Sequence, residues 1–87
     1  MPTFLVSLVV PGHPRTDDEL DQLQGHPAGW TITGRCEWGS GFRLDLRGDA
    51  ADPGAAERSA RDAAVAWLAE NGLPDAAPRV TVRRRLT

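Results

Sequence analysis

Residues Trp30–Arg47 read WTITGRCEWGSGFRLDLR, two alternating stretches joined by Gly39-Ser40-Gly41. How one stretch is set against the other decides what sheet the chain builds. In the first, Trp30, Ile32, Gly34, Cys36 and Trp38 share one side, and Thr31, Thr33, Arg35 and Glu37 the other. In the second, Phe42, Leu44 and Leu46 stand opposite Arg43, Asp45 and Arg47. A period of two is the mark of a half-buried strand, so the stretch predicts an antiparallel hairpin. If even-numbered residues face the core on both strands, a one-residue slip would turn a whole strand over. That condition selects a three-residue loop, Gly39-Ser40-Gly41, with Gly41 in the left-handed region and Trp38 opposite Phe42. The same register pairs Glu37 with Arg43 and Arg35 with Asp45, and it places Cys36, Trp30 and Trp38 in the core.

The flanking sequence supplies the remaining elements. Thr3–Val10, TFLVSLVV, is rich in β-branched residues, nearly apolar on both faces and stopped by Pro11-Gly12, as a central strand should be. Thr16 and Glu19 have the spacing of a capping box. They predict a short helix that buries Leu20 and Leu23 and stops by Gly25. A second helix is expected from Asp52 as N-cap and Pro53 at its first position to Asn71-Gly72. Its apolar stripe runs through Ala56, Ala60, Ala63, Ala64, Trp67 and Leu68, with Glu57–Arg61 and Arg58–Asp62 as surface pairs. Arg79–Leu86 closes the chain as a strand with Val80, Val82 and Leu86 inward and Thr81, Arg83 and Arg85 outward.

Strand, helix, strand, strand, helix, strand is the order of the split βαβ, or ferredoxin-like, arrangement. It implies an α+β domain over residues 1–87, with a four-stranded antiparallel sheet of order 4-1-3-2 and two helices on one face. The alternative is that the first helix is only a turn.

Composition bounds the function. Eighty-seven residues fit one modest core, at a size where a second copy often helps bury surface. Every basic residue is arginine, ten against twelve acids, for a formal charge of −2. That balance carries no overall nucleic-acid footprint. The longest apolar run, Phe4–Val10, falls far short of the roughly 20 residues that span a bilayer. It also lacks the basic start of a leader. A mature N-terminus, no membrane and a cytoplasmic location are the expectation. Cys36 is the only cysteine, and His13 and His26 each sit in a GHP turn context. No catalytic residue, metal site or cofactor is expected.

The run GSGFR, Gly39–Arg43, resembles part of the GxVxGVGFR signature of acylphosphatases, which are also ferredoxin-like and bind phosphate through a loop and an arginine. The family's motif follows the first strand, where this chain has Pro11-Gly12-His13-Pro14, and Arg43 falls on the third strand. The only asparagine, Asn71, ends the second helix. The run is therefore read as a turn.

The open face of the sheet holds what core packing leaves unexplained. Leu5, Ser7 and Val9 lie there on a central strand, flanked by Arg47, Thr81, Arg83 and Arg85. Apolar residues in mid-sheet call for cover, from arginine stems or from a second subunit. The expectation is a non-enzymatic module that self-associates or binds a protein partner through this face. One alternative is a dimeric α+β barrel binding a small molecule, with or without catalysis, lined by Thr31, Thr33, Arg35 and Arg47. Another is weak anion or nucleic-acid binding by the C-terminal arginines, whose bland counterpart is an edge strand charged against unwanted pairing.

Overall fold

The computed structural model describes all 87 residues. Its elements are β1 (Thr3–Val10), α1 (Asp17–Asp21), β2 (Trp30–Trp38), β3 (Gly41–Asp49), α2 (Pro53–Glu70) and β4 (Arg79–Arg85). The strands form one open antiparallel sheet in the order β2-β3-β1-β4, which is 4-1-3-2 read from its other edge. The class is α+β.

Both helices start where their caps dictate. Thr16 accepts the Glu19 amide while the Glu19 carboxylate accepts the Thr16 amide, so α1 is a true helical turn of five residues. Asp52 accepts the Ala55 amide at the head of α2, and Pro53 follows where no amide partner is needed. The alanine stripe lets α2 lie close to the sheet: Ala56, Ala60 and Ala64 are fully buried beside Leu68. Glu57 and Arg61 pair at 2.8 Å, whereas Arg58 and Asp62 form no ion pair.

The core is one cluster. Phe4, Val6, Leu8 and Val10 of β1 and Phe42, Leu44 and Leu46 of β3 meet α2 and Leu20 of α1. On these two inner strands alternation holds from end to end, and their mutual register runs unbroken from Thr3↔Asp49 to Val10↔Phe42.

The outer strands behave differently. The β2–β3 turn contains two residues, Gly39 and Ser40, and pairs Trp38 with Gly41. Gly39, not Gly41, has the positive φ, +55°, as a type II′ turn requires at its first central position. From this end the register sets Glu37 against Phe42, Arg35 against Leu44 and Gly34 against Asp45. At the other end Trp30 lies opposite Gly48, where a Cβ would stand 2.6 Å from the indole. The two ends thus impose registers that differ by one residue, and a bulge at Thr33 reconciles them.

This corrects the three-residue loop and both charge pairs expected from alternation. Beyond Thr33, Arg35 and Glu37 turn to the helical side and Cys36 and Trp38 to the open face, where both are exposed. The misfit of Glu37 beside Phe42 is relieved because β2 is an edge and Glu37 reaches water there. Arg35 donates from Nη1 to the Leu20 carbonyl at 2.6 Å, satisfying an acceptor at the end of α1.

The opposite edge repeats the device. A bulge at Arg83 breaks the β1–β4 register, so Arg84 lies opposite Leu5 and Arg85 opposite Phe4. Arg84 therefore takes the open-face place expected for Arg83 and Arg85. An outer strand bonds to one neighbour only, and an extra residue disturbs a single ladder there.

Candidate functional site

The open face can be read row by row. Leu5 lies between Arg47 of β3 and Arg84 of β4. Ser7 lies between Asp45 and Thr81, and Val9 between Arg43 and Arg79. Leu5 and Val9 are thus each bracketed by two arginines in register and are half-buried within the single chain.

The middle row is a closed polar network. Ser7, 6% exposed, donates from Oγ to Asp45 Oδ1 at 3.0 Å. It also accepts from Arg43 Nη2 at 3.2 Å. Arg43 donates to the same aspartate oxygen from Nε and Nη2, each at 3.1 Å. Gly34 sits opposite Asp45 and leaves space for the carboxylate, since a Cβ there would stand 3.2 Å from Oδ2. Thr33, expelled into the bulge, hydrogen-bonds the Asp45 carbonyl at 3.3 Å.

Trp38 completes the face. The residue is 49% exposed, and the Arg43 guanidinium lies 5.2 Å from the centroid of its ring. A guanidinium at that distance attracts the ring's π-cloud. Sequence alternation missed Trp38, because the bulge that turns it outward has no signature in a strand pattern.

The expected site residues divide as follows. Leu5, Ser7, Val9, Arg47 and Thr81 share the open face; Arg83 occupies the bulge, and Arg85 lies beside Phe4 at the strand end. Thr31 and Arg47 are opposite one another at one end of a shallow polar depression of about 430 Å³ that also meets Asp49. Arg35 is on the other side of the sheet, so the pocket of Thr31, Thr33 and Arg35 is not assembled. A second groove, also about 430 Å³, runs between β4 and the start of α2, where Phe4, Pro53 and Val82 meet Arg83, Arg84 and Arg85.

Charge is segregated across the molecule. The open face carries Arg43, Arg47, Arg79 and Arg84 against Asp45 and Asp49. Arg43 is paired with Asp45, whereas Arg47, Arg79 and Arg84 make no ion pair. The helices lean to the opposite sign: Asp17, Asp18, Glu19 and Asp21 in α1 face no base of their own helix, and in α2 Glu57, Asp62 and Glu70 outnumber Arg58 and Arg61. One of these is tuned by its cap. The Thr16 amide, then the Thr16 hydroxyl, hold the Glu19 carboxyl below the usual glutamate range, with a smaller contribution from Arg15.

No group of three or more histidine, cysteine, aspartate or glutamate side chains converges as a metal site would require. No helix is long and apolar enough to cross a membrane. No protein-family model, curated protein or solved structure matches the chain.

Proposed function

We propose that this protein is a non-enzymatic interaction module of ferredoxin-like architecture, and that the open sheet face is its binding surface. The element order and the strand order 4-1-3-2 support the architecture. The observation that carries the binding role is the composition of the face: a half-exposed Trp38 held by Arg43, beside half-buried Leu5 and Val9, with no element of the chain above them. Tryptophan and arginine are the residues that concentrate binding energy at protein interfaces. A rigid sheet with a hydrogen-bonded Ser7–Asp45–Arg43 centre presents them with little ordering left to do.

A photo-crosslinking residue placed at Thr81 on the open face, and separately at exposed Val65 on α2, tests the assignment in the host cell. Discrete adducts are expected from the Thr81 position and not from Val65. Equal labelling from both positions would remove the face as the binding surface.

Self-association is the second form of the same proposal, favoured by the small size of the chain and the apolar Leu5 and Val9. It brings four arginines and two aspartates against an identical set, a like-charge encounter that weakens at low salt. Light scattering at tens of micromolar decides it: a strict monomer at both low and high salt eliminates this form. A dimer that Leu5→Lys with Val9→Lys dissociates without unfolding would establish it.

A further inference from the structure

We infer that the open face takes an acidic protein segment that carries apolar side chains among its carboxylates. The inference rests on the binding role proposed for this face and names the chemistry of the partner.

Three observations select that partner. Leu5 and Val9 form two apolar spots on β1: Leu5 lies opposite two unpaired arginines, Arg47 and Arg84, and Val9 opposite one, Arg79, since Arg43 on its other side is closed onto Asp45. Neighbouring strands lie about 4.8 Å apart, so each apolar spot is within a side chain's reach of an unpaired cation. A ligand that fills both features must offer apolar groups and anions at alternating places. A carboxylate-rich segment with interspersed leucine, valine or phenylalanine has that pattern, and guanidinium binds carboxylate through two parallel hydrogen bonds.

Second, Arg47, Arg79 and Arg84 have no acidic partner in the chain, although the chain has more acids than arginines. Most of the acids lie on the helical side instead, above all in α1, so the field across the molecule points an acidic partner at the sheet. Third, the face is poorly suited to a nucleic-acid strand. Stacking successive bases needs several aromatic faces, whereas β1 and β3 put none on the open side and Trp38 at the hairpin tip offers a single ring.

The test is a titration of the full chain, isotopically labelled, with a synthetic peptide of about twelve residues, enough to lie along a strand at roughly 3.3 Å per residue. The peptide mixes glutamate and aspartate with leucine and phenylalanine. A second peptide replaces the acids by glutamine and asparagine, a third replaces the apolar residues by serine, and an oligothymidylate provides the nucleic-acid arm. Shifts are expected in the amides of β1, β3 and β4 and in the Trp38 indole N–H. Affinity for the first peptide should exceed that of either control by roughly tenfold. It should also fall as salt rises from about 50 to 500 mM, where screening shortens to a few ångströms. Arg47→Glu with Arg84→Glu should lose that binding while the thermal transition stays in place, and Arg47→Lys with Arg84→Lys should fall between, keeping the charge without the paired hydrogen bonds.

Equal binding of the acidic and neutral peptides, tighter binding of the oligothymidylate, or shifts confined to the helices would each overturn the inference. No peptide binding together with face-specific crosslinking in the cell overturns the acidic partner alone. Loss of both overturns the binding role of the face as well.

Discussion

Trp30 and Trp38 stand at the two ends of β2, and strict alternation would give them the same face. Trp30 is 2% exposed, lies over Gly48 and donates from Nε1 to Ser59 of α2 at 3.1 Å. Trp38 is 49% exposed, on the opposite side of the sheet, against Arg43. One residue separates these outcomes, since Thr33 in the bulge turns everything beyond it over. The base of the hairpin is therefore part of the core, and Trp38 at its tip belongs to the open face. A single edge strand serves both, which an unbroken strand with apolar residues at every second position could not do.

The largest expected effect tests that division directly. Trp30→Ala should cost about 3–5 kcal/mol in denaturant unfolding, the range for deleting a buried aromatic. Trp38→Ala should cost less than about 1 kcal/mol, since it forfeits mainly one exposed cation–π contact. Comparable losses at the two positions would contradict the reversal of faces.

Glycine substitutions probe the two registers that the bulge reconciles. Gly48→Ala would set its methyl group 2.6 Å from the Trp30 ring, and Gly41→Ala would set one 1.8 Å from the Val10 carbonyl oxygen. Each should destabilise by about 1–3 kcal/mol or more, with Gly41→Ala the worse because its neighbour is backbone. Thermal scans of the two variants check this order.

Deleting Thr33 sharpens the comparison further. Every other pair across β2 and β3 can stay as it is once the extra residue is gone, so the fold and the Trp38–Arg43 contact should survive. The expected loss is about 1 kcal/mol, that of the Thr33–Asp45 hydrogen bond. A Trp38 amide and indole spectrum that moves to a buried environment would show that Thr33 does not set the face. Arg43→Ala acts on the tip alone: by removing the bonds to Asp45 and Ser7 and the ring contact, it should cost about 1–2 kcal/mol and raise the mobility of the Trp38 indole.

The smallest effect lies where the tip meets α1, through Arg35 and Leu20. Glu19 has a folded-state pKa below its unfolded value, so its cap contributes stability above the unfolded pKa and loses it as pH falls through the folded one. A slight acid loosening of α1 is expected, read by the Glu19 carboxyl titration in NMR. Thr16→Ala removes the hydroxyl but keeps the backbone amide, so it should return that titration only part of the way toward the ordinary glutamate value.

Much of this molecule was legible in its residues. The breakers Pro11-Gly12, the Thr16–Glu19 box, the Asp52-Pro53 start and the alternation of β1 and β3 determine the elements, their order and the face of each inner-strand residue. They also identify Leu5, Ser7 and Val9 as the open-face row of the central strand. On the edge strands, the faces of the residues at and beyond the bulges were decided only in three dimensions, while Trp30–Ile32 and Val80–Val82 keep the faces that alternation predicts. A strand bonded on both sides cannot insert a residue without breaking two ladders, so its alternation is enforced. A strand bonded on one side can, and there local pattern yields to distant demands: Trp30 over Gly48, the close turn at Gly39-Ser40, and Gly41 pressed against Val10. The bulges at Thr33 and Arg83 meet those demands, and they place Trp38 and Arg84 on the face while removing Arg35 and Arg85 from it.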